Sequence, residues 1–222
     1  AGYGWNVASS SPGENYAIAT GTKGTKPVQL QGWLHLDAAI RLFEMAGYDF
    51  AEQRRLARNS DFEAFELNGV NFSANLQVDV DSIISQNVLA VIPGGSHADE
   101  SIMVAAHWDA YGIGEPDSQG RVVRPGANDD ALGTAGVLEL ARVFKSSPTP
   151  ARSIVFALWT AEESGLLGSA AYAENPIYPI EKTVANLTLD ILQTAGLARD
   201  VILVGEGQSD LEVDLARAAA RQ

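Results

Sequence analysis

Short apolar runs constrain the fold of this chain more than any other feature. They lack the polar alternation of a strand with one wet face, which is typical of strands covered on both faces of a sheet. Such strands occur mainly in sheets that have helices on both sides. The runs span residues 87–92, 101–106, 153–160, 184–191 and 201–204.

Helical stretches alternate with these runs. Apolar residues recur at helical spacing over 131–144 and 166–173, and a helix over 211–220 follows a capping box of Ser209 and Glu212. Strands that alternate with helices favour a parallel sheet. The sequence therefore predicts an α/β fold, a three-layer sandwich with a mostly parallel mixed sheet.

The first part of the chain has a different pattern. Helices are predicted over 34–46 and 50–58, and the alternation from Phe72 to Val80 predicts a strand with one wet face. The opening, 1–26, is typical of turns and short strands. We therefore expect a smaller, more β-rich accessory domain over 1–84 and the α/β domain over 85–222.

Charge and composition exclude several classes of function. Fifteen Lys and Arg stand against 28 Asp and Glu, a net charge of −13 that repels phosphate backbones. The absence of cysteine excludes disulfides, iron–sulfur clusters and thiolate zinc ligands. No apolar stretch is long enough to span a bilayer. We predict no nucleic-acid partner and no membrane insertion.

Four clusters of acidic or imidazole side chains stand where a buried run ends or a helix begins. Three of them alone have a structural explanation, such as a hydrogen-bonded histidine, a helix N-cap or a solvated first turn. The fourth, Asp190, ends an apolar run, so its carboxylate must be paired, hydrogen-bonded or metal-bound. Together they would meet at one rim, because the carboxyl ends of parallel strands border one crevice. The clusters are His107-Trp108-Asp109, Asn128-Asp129-Asp130, Glu162-Glu163 and Asp190.

This concentration of carboxylates predicts a metal centre. Carboxylates in one crevice repel each other unless a cation neutralises them, and a pair of divalent metals would do so. With imidazole and carboxylate ligands and no thiolate, zinc is the first choice, and cobalt or manganese could substitute for it.

Five segments resemble, in order and spacing, the motifs of the co-catalytic di-zinc aminopeptidases of metallopeptidase clan MH. That group includes bacterial leucyl-type aminopeptidases and glutamate carboxypeptidase relatives, and its resemblance to this chain covers roughly residues 85–222. It implies a zinc-peptidase-like fold. The segments are Ala106-His107-Trp108-Asp109, Gly126 to Gly133, Arg152 to Phe156, Thr160 to Ser169, and Leu189-Asp190.

The resemblance implies a role for each acidic residue of these segments. Asp129 would bridge two metals, with His107 and Asp190 completing one site. Glu163 would belong to the other site. Asp130, next to the bridging ligand, would help to shape its turn.

The implied activity is that of a zinc metallopeptidase. It would hydrolyse N-terminal peptide bonds of peptide substrates through a di-zinc-activated water, with Glu162 as general base and Asp109 orienting the His107 ring. Residues 27–65 resemble the tail of a protease-associated domain, which makes 1–84 a partial domain of that type. Because members of the family are mostly periplasmic or secreted, the resemblance also implies a periplasmic or secreted location.

The ligand set is one short of the family pattern. Two zinc ions that share one bridge need five protein ligands, and four are present. The family's fifth ligand is a histidine well downstream of Asp190, and this chain ends at Gln222. His97 lies at the wrong end of its strand, and His35 lies in the accessory region.

We therefore expect a chain truncated at both ends whose second metal site is incomplete. A residue from a missing segment or from another chain would complete it. A sheet cut short would also leave an unpaired edge strand, which offers a route to self-association.

Three other functions fit the same residues. The chain could be a non-catalytic or inactive relative that binds at most one metal. It could be a carboxypeptidase of the same clan, with Arg121 and Arg124 as candidates to hold a substrate carboxylate. It could also use the fold as a glutaminyl cyclase does, with a single zinc.

Overall fold

A computed structural model describes residues 5, 14–19, 30, 32–192, 194, 196, 204, 207 and 209–221. The chain divides into two compact units. One comprises Ala1–Asn15 with Gly24–Ser82, and the other Tyr16–Lys23 with Ile83–Gln222. Most of the turns predicted over 1–26, and residues 201–203 of the predicted strand over 201–204, lie outside the described residues.

The described residues of the first unit include the predicted helices, α1 (Leu36–Met45) and α2 (Phe50–Leu56). α2 begins after Asp49, whose carboxylate accepts a hydrogen bond from the Glu52 amide at 2.7 Å. Phe43 packs edge-on against Phe50, with 5.1 Å between the ring centroids. This aromatic contact joins the two helices across their short turn.

The strand predicted from Phe72 to Val80 is wrong. This stretch has no regular secondary structure, and Val80 is 89% exposed. Residues 32–82 contain the two helices and no strand. Alternation gives the side-chain pattern of a strand, but a strand also needs a neighbour for its backbone groups.

The described residues of the second unit form a four-stranded sheet in the order β1-β5-β2-β6. β2, β5 and β6 are parallel and β1 is antiparallel to β5, so the sheet is mixed and mostly parallel, as predicted. A two-stranded hairpin, β3-β4, stands apart from it. The strands are β1 (Val88–Ile92), β2 (His97–His107), β3 (Gly112–Ile113), β4 (Val123–Arg124), β5 (Arg152–Trp159) and β6 (Thr183–Thr188).

Helices cover both faces of this sheet. The helices of the unit are α3 (Leu132–Ser146), α4 (Leu167–Glu174) and α5 (Leu211–Ala219). On one face, Val104 and Phe156 pack in one cluster with Val137 of α3. On the other, Met103 belongs to a cluster with Tyr172 of α4. The result is the predicted three-layer sandwich.

The register aligns the carboxyl ends of the three parallel strands. His107 of β2 pairs with Trp159 of β5, and Ala105 of β2 pairs with Thr188 of β6. Residues that follow these ends therefore meet at one edge of the sheet. Among the described residues, no helix has the length and apolar character needed to cross a membrane.

Candidate metal centre

His107 is the centre of the site. It ends β2, and its side chain is only 2% exposed. Ring atom Nδ1 lies 3.1 Å from the backbone oxygen of Asp109, and Nε2 lies 2.9 Å from Asp129 Oδ1. A carbonyl oxygen can only accept, so Nδ1 is the donor. Nε2 then faces a carboxylate oxygen, and this contact is favourable only with a proton or a cation on Nε2.

The charges around His107 favour its protonated form. Burial alone would lower the pKa of the imidazole. The hydrogen bond to Asp129 and the nearby charges of Glu162, Asp130 and Asp109 outweigh burial and raise this pKa. Without a metal, the surrounding carboxylates therefore draw a proton to the ring.

Asp129 reaches His107 from a tight turn, 127–131, that follows the β3-β4 hairpin. Gly126, with φ +64°, begins this turn, and a Cβ there would overlap the Asp129 carbonyl. The adjacent Asp130 is 1% exposed, and its carboxylate accepts from the His107 amide at 3.1 Å and the Gly133 amide at 2.9 Å. Burial raises the pKa of Asp130, and these two bonds oppose the rise. Asp130 thus fastens the turn to the end of β2.

Glu162 and Glu163 lie in the loop that follows β5. The two Asp109 carboxylate oxygens accept hydrogen bonds from their amides, at 3.0 Å from Glu162 and 3.2 Å from Glu163. Glu162 Oε2 lies 3.8 Å from His107 Nε2. Burial raises the pKa of both glutamates, and neighbouring carboxylates raise it further.

Asp109 therefore contacts the centre in two ways. The resemblance implies that it orients the His107 ring. The Nδ1 bond runs to the Asp109 backbone oxygen, while the nearest Asp109 carboxylate oxygen is 3.5 Å from Nδ1. The carboxylate itself holds the loop of Glu162 and Glu163.

Asp190 follows the end of β6, and its Oδ1 lies 4.0 Å from His107 Nε2. The strand predicted over 184–191 ends at Thr188. Leu189 still donates to the Ala105 oxygen at 2.8 Å, which continues the pairing with β2 up to the residue before Asp190.

The structure thus brings together all the acidic residues and the imidazole that the sequence singled out. Two overlapping groups have ligand atoms within 4.8 Å of one another: His107, Asp129 and Asp190 form one, and His107, Glu162 and Glu163 the other. Only nitrogen and oxygen donors are present, which suits a divalent transition metal.

The other two histidines of the chain do not contribute to this group. His97 begins β2 and His107 ends it, so they lie at opposite ends of an eleven-residue strand. His35 belongs to the first unit, where it caps α1 and packs against Trp5 with 5.0 Å between the rings.

Three residues near the centre were not predicted from the sequence. Thr134 donates to the His107 backbone oxygen at 2.8 Å. A hydrogen bond to Glu163 and partial burial raise the pKa of Tyr111 to about 12. Asn87 bonds both ends of the loop that contains Glu162. These contacts join distant positions, and no local pattern in the sequence marks them.

Helices on both faces of a mostly parallel sheet, with carboxylates and one imidazole gathered at its edge, define an α/β protein with a candidate divalent-metal centre. The model of peptidase family M28 matches residues 87–222. The chain belongs to this family, which confirms the resemblance seen in its motifs.

Individual relatives are similar over part of their length. Aminopeptidase NAALADL1 of Mus musculus is 35% identical over 185 residues, 77% of this chain and 23% of that protein. The probable lipoprotein aminopeptidase LpqL of Mycobacterium tuberculosis is 35% identical over 113 residues, 50% of this chain and 20% of that protein. The structure of BSAP, a zinc aminopeptidase from Bacillus subtilis, is 30% identical with a TM-score of 0.50. That match covers 62% of this chain and 32% of BSAP.

Proposed function

We propose that this chain is the metal-binding part of a zinc aminopeptidase that hydrolyses N-terminal peptide bonds. The observation that carries the proposal is the convergence of His107, Asp129, Asp190, Glu162 and Glu163 at the carboxyl edge of the sheet. Membership of peptidase family M28 and the similarity to proteins named as aminopeptidases, one of them a zinc enzyme, support it.

His107, Asp129 and Asp190 would hold one zinc ion. Their donor set fits, because Nε2 of His107 faces Asp129 while Nδ1 is bonded elsewhere, so loss of the Nε2 proton would offer its lone pair to the metal. Glu163 would belong to a second site that shares Asp129. Its Oε1 is buried and has no hydrogen-bond partner among the described residues, as expected of an oxygen placed for a cation.

In the part of the chain that the structure describes, the second site would have fewer ligands than the first. Asp129 and Glu163 supply two ligands, and the sequence holds no further histidine for the edge of the sheet. We therefore propose one tightly held zinc ion per chain and a second that binds weakly unless a donor from outside these residues completes its site.

Bound zinc would supply Lewis-acid chemistry, polarising the scissile carbonyl and lowering the pKa of water. Glu162 would take a proton from the attacking water and return it to the leaving amine. Its backbone is fixed by Asp109, and its carboxylate points to the same place as the metal donors, 3.8 Å from His107 Nε2. The acidic residues around it would attract the charged amino group of a peptide.

Aminopeptidase activity is favoured over carboxypeptidase activity by the two candidate arginines. The Arg121 side chain donates to Asp117 at 2.8 Å, and Arg124 donates to the backbone oxygens of Arg121 and Glu115 at 2.9 Å and 2.7 Å. Both guanidinium groups are thus engaged within the hairpin. A substrate carboxylate would have to bind the N–H groups that these bonds leave over.

The test combines metal analysis with matched substrates. After dialysis against zinc, the protein should retain about one ion per chain. It should hydrolyse leucine p-nitroanilide and leave the N-acetylated compound intact, because only the first has a free amino group. Glu162→Gln should retain zinc and lose turnover, whereas Glu139→Gln, which removes the same charge from the exposed face of α3, should change neither.

Other outcomes would favour the rival functions. Zinc retention without hydrolysis of any peptide would indicate a non-catalytic module. Cleavage that requires a free C-terminal carboxylate would indicate a carboxypeptidase, and cyclisation of N-terminal glutamine would indicate a glutaminyl cyclase. Turnover that persists in Glu162→Gln would refute the assignment of the base.

Two further parts of the proposal concern the rest of the protein. We propose that 1–84 is part of a protease-associated domain, which predicts that its removal alters substrate preference. We also propose a periplasmic or secreted location, supported by the relative named as a lipoprotein. Fractionation of cells that express the whole protein would test it.

A further inference from the structure

We propose that Asn87 is a positioning residue for the metal centre, an inference that rests on the proposed function. Asn87 immediately precedes β1, far from the centre in sequence. Its Nδ2 donates to the Gly168 oxygen at 2.8 Å, and its Oδ1 accepts from the Thr160 amide at 3.1 Å. Thr160 and Gly168 are the two ends of the loop that contains Glu162 and Glu163.

The side-chain amide therefore closes the neck of this loop. Gly168 also donates from its amide to the Thr160 oxygen at 3.1 Å, so the two ends are already in contact. A Cβ at position 168 would overlap both the Thr160 oxygen and Asn87 Oδ1. Glycine at 168 is thus required for the close approach that brings the neck within reach of Asn87.

Only a group with a donor and an acceptor side by side can make both bonds. The amide of asparagine has this arrangement. A carboxylate would keep the bond from Thr160 but would place an oxygen against the Gly168 oxygen. An aliphatic side chain would leave both backbone groups without this partner.

The loop needs such support because part of its backbone is strained. Ala161 and Leu166, which lie on either side of the two glutamates, have φ values of +51° and +62°. Non-glycine residues stay in this left-handed region only when the surrounding structure holds them there. Asp109 holds the tip of the loop, and Asn87 holds its neck.

Loss of the neck bonds should displace the glutamates from the donors on the neighbouring strands. Within the loop, Asp109 bonds the amides of Glu162 and Glu163, so the direction from which the loop approaches depends on Thr160 and Gly168. A misplacement of about 1 Å in such a centre costs roughly a hundredfold in rate. Asn87 would act in this way without touching substrate or metal.

The test compares Asn87→Ala and Asn87→Asp with Ser153→Ala. Ser153 is a matched control: its hydroxyl accepts from the Gly94 amide at 3.1 Å and donates to the Ala98 oxygen at 2.8 Å, at the opposite end of β5 from the centre. Asn87→Asp conserves side-chain shape, so it remains informative should Asn87→Ala fail to fold.

Hydrogen exchange on the metal-free protein is the first measurement. We expect both Asn87 variants to speed exchange of the Glu162 and Glu163 amides by about tenfold or more, because the neck opens locally. Ser153→Ala should speed exchange of Gly94 and leave the loop unchanged. Equal protection of the glutamate amides in Asn87→Ala and in the unmodified protein would overturn the proposal.

Zinc affinity and kinetics are the second measurement. We expect Asn87→Ala to weaken zinc binding and to lower kcat roughly 10- to 100-fold, with KM changed by less than about twofold. Ser153→Ala should lower the melting temperature by a similar amount but leave zinc affinity and kcat unchanged. An equal loss of zinc affinity in Ser153→Ala would overturn the proposal, because general destabilisation would then explain it.

The two proposals can fail separately. Absence of zinc binding by the unmodified protein would refute the proposed function. The exchange of the Glu162 and Glu163 amides in the metal-free protein would still decide whether Asn87 positions this loop.

Discussion

Replacement of Asp130 by alanine tests whether the turn that carries Asp129 is fastened as the structure indicates. The Asp130 carboxylate is buried and accepts from two backbone amides, those of His107 and Gly133. Asp130→Ala would leave both donors buried without these partners. Because one amide belongs to β2 and the other to α3, the change should loosen the turn from both elements.

The expected magnitude follows from the two bonds and the burial that opposes them. A hydrogen bond to a charged group contributes roughly 1.5–3 kcal/mol, so two contribute about 3–6 kcal/mol. Burial of the carboxylate, which raises the pKa of Asp130, offsets part of this. We expect Asp130→Ala to lower the free energy of unfolding by about 3 kcal/mol, a substantial fraction of a typical domain's stability.

Urea unfolding of the metal-free protein measures this loss, with Asp117→Ala as control. Asp117 also accepts from two backbone amides, of Gln119 at 2.8 Å and Arg121 at 2.9 Å, and from the Arg121 side chain at 2.8 Å, but these bonds are exposed to water. Water can replace them, so the control should lose less than about 1 kcal/mol. A decrease in the free energy of unfolding below about 1 kcal/mol for Asp130→Ala as well would refute the reasoning. The two hydrogen bonds would then contribute no more than the burial of the Asp130 carboxylate costs.

Three other outcomes are expected. Asp129→Ala should abolish retention of zinc after dialysis, measured by elemental analysis, whereas Asp117→Ala should retain it. Stability of the metal-free protein should fall as the pH rises from about 5 to 8, because the raised pKa values of His107, Glu162 and Glu163 mean that the folded state holds their protons more tightly. Excess zinc should reverse this trend in unfolding experiments, because the ligands must lose their protons to bind it. A stability that does not change with pH in the absence of zinc would contradict the raised pKa values of these three residues. Val137→Ala, at a fully buried position of α3, should cost about 2 kcal/mol, whereas Leu138→Ala, 60% exposed, should cost less than about 0.5 kcal/mol in the same assay.

The centre of the sheet could be predicted because β5 and the second half of β2 are buried on both faces. The compact runs over 87–92, 101–106 and 153–160 correspond to β1, β2 and β5, and the helices between them were recognised by spacing. The segment from Phe72 to Val80 has no such compact apolar run, so the same reasoning could not decide its secondary structure. Whether an alternating segment becomes a strand depends on a neighbouring strand, which its own residues do not specify.

The acidic residues of the centre could be located from the sequence, but their partners could not. A carboxylate at the end of a buried strand is visible as a pattern. Which carboxylate accepts from a backbone amide, and which faces the imidazole, depends on turns whose geometry is set by long-range contacts. Asp109 shows the difference, because the amides that it holds are 53 and 54 residues away.

The structure divides these carboxylates into two kinds. Asp109 and Asp130 accept four backbone hydrogen bonds between them, which compensate their charge. Asp129, Asp190, Glu162 and Glu163 converge instead on His107, and no Lys or Arg ion pair with any of them is found in the part of the chain that the structure describes.

A single imidazole cannot balance four carboxylates. Without a metal, the group can lower its repulsion only by taking up protons, as the raised pKa values of His107, Glu162 and Glu163 indicate. A divalent cation would replace those protons and bind all the more strongly because the backbone already holds the ligands together. The hydrogen bonds that Asp109 and Asp130 accept from backbone amides thus offset the repulsion between these carboxylates in the metal-free protein.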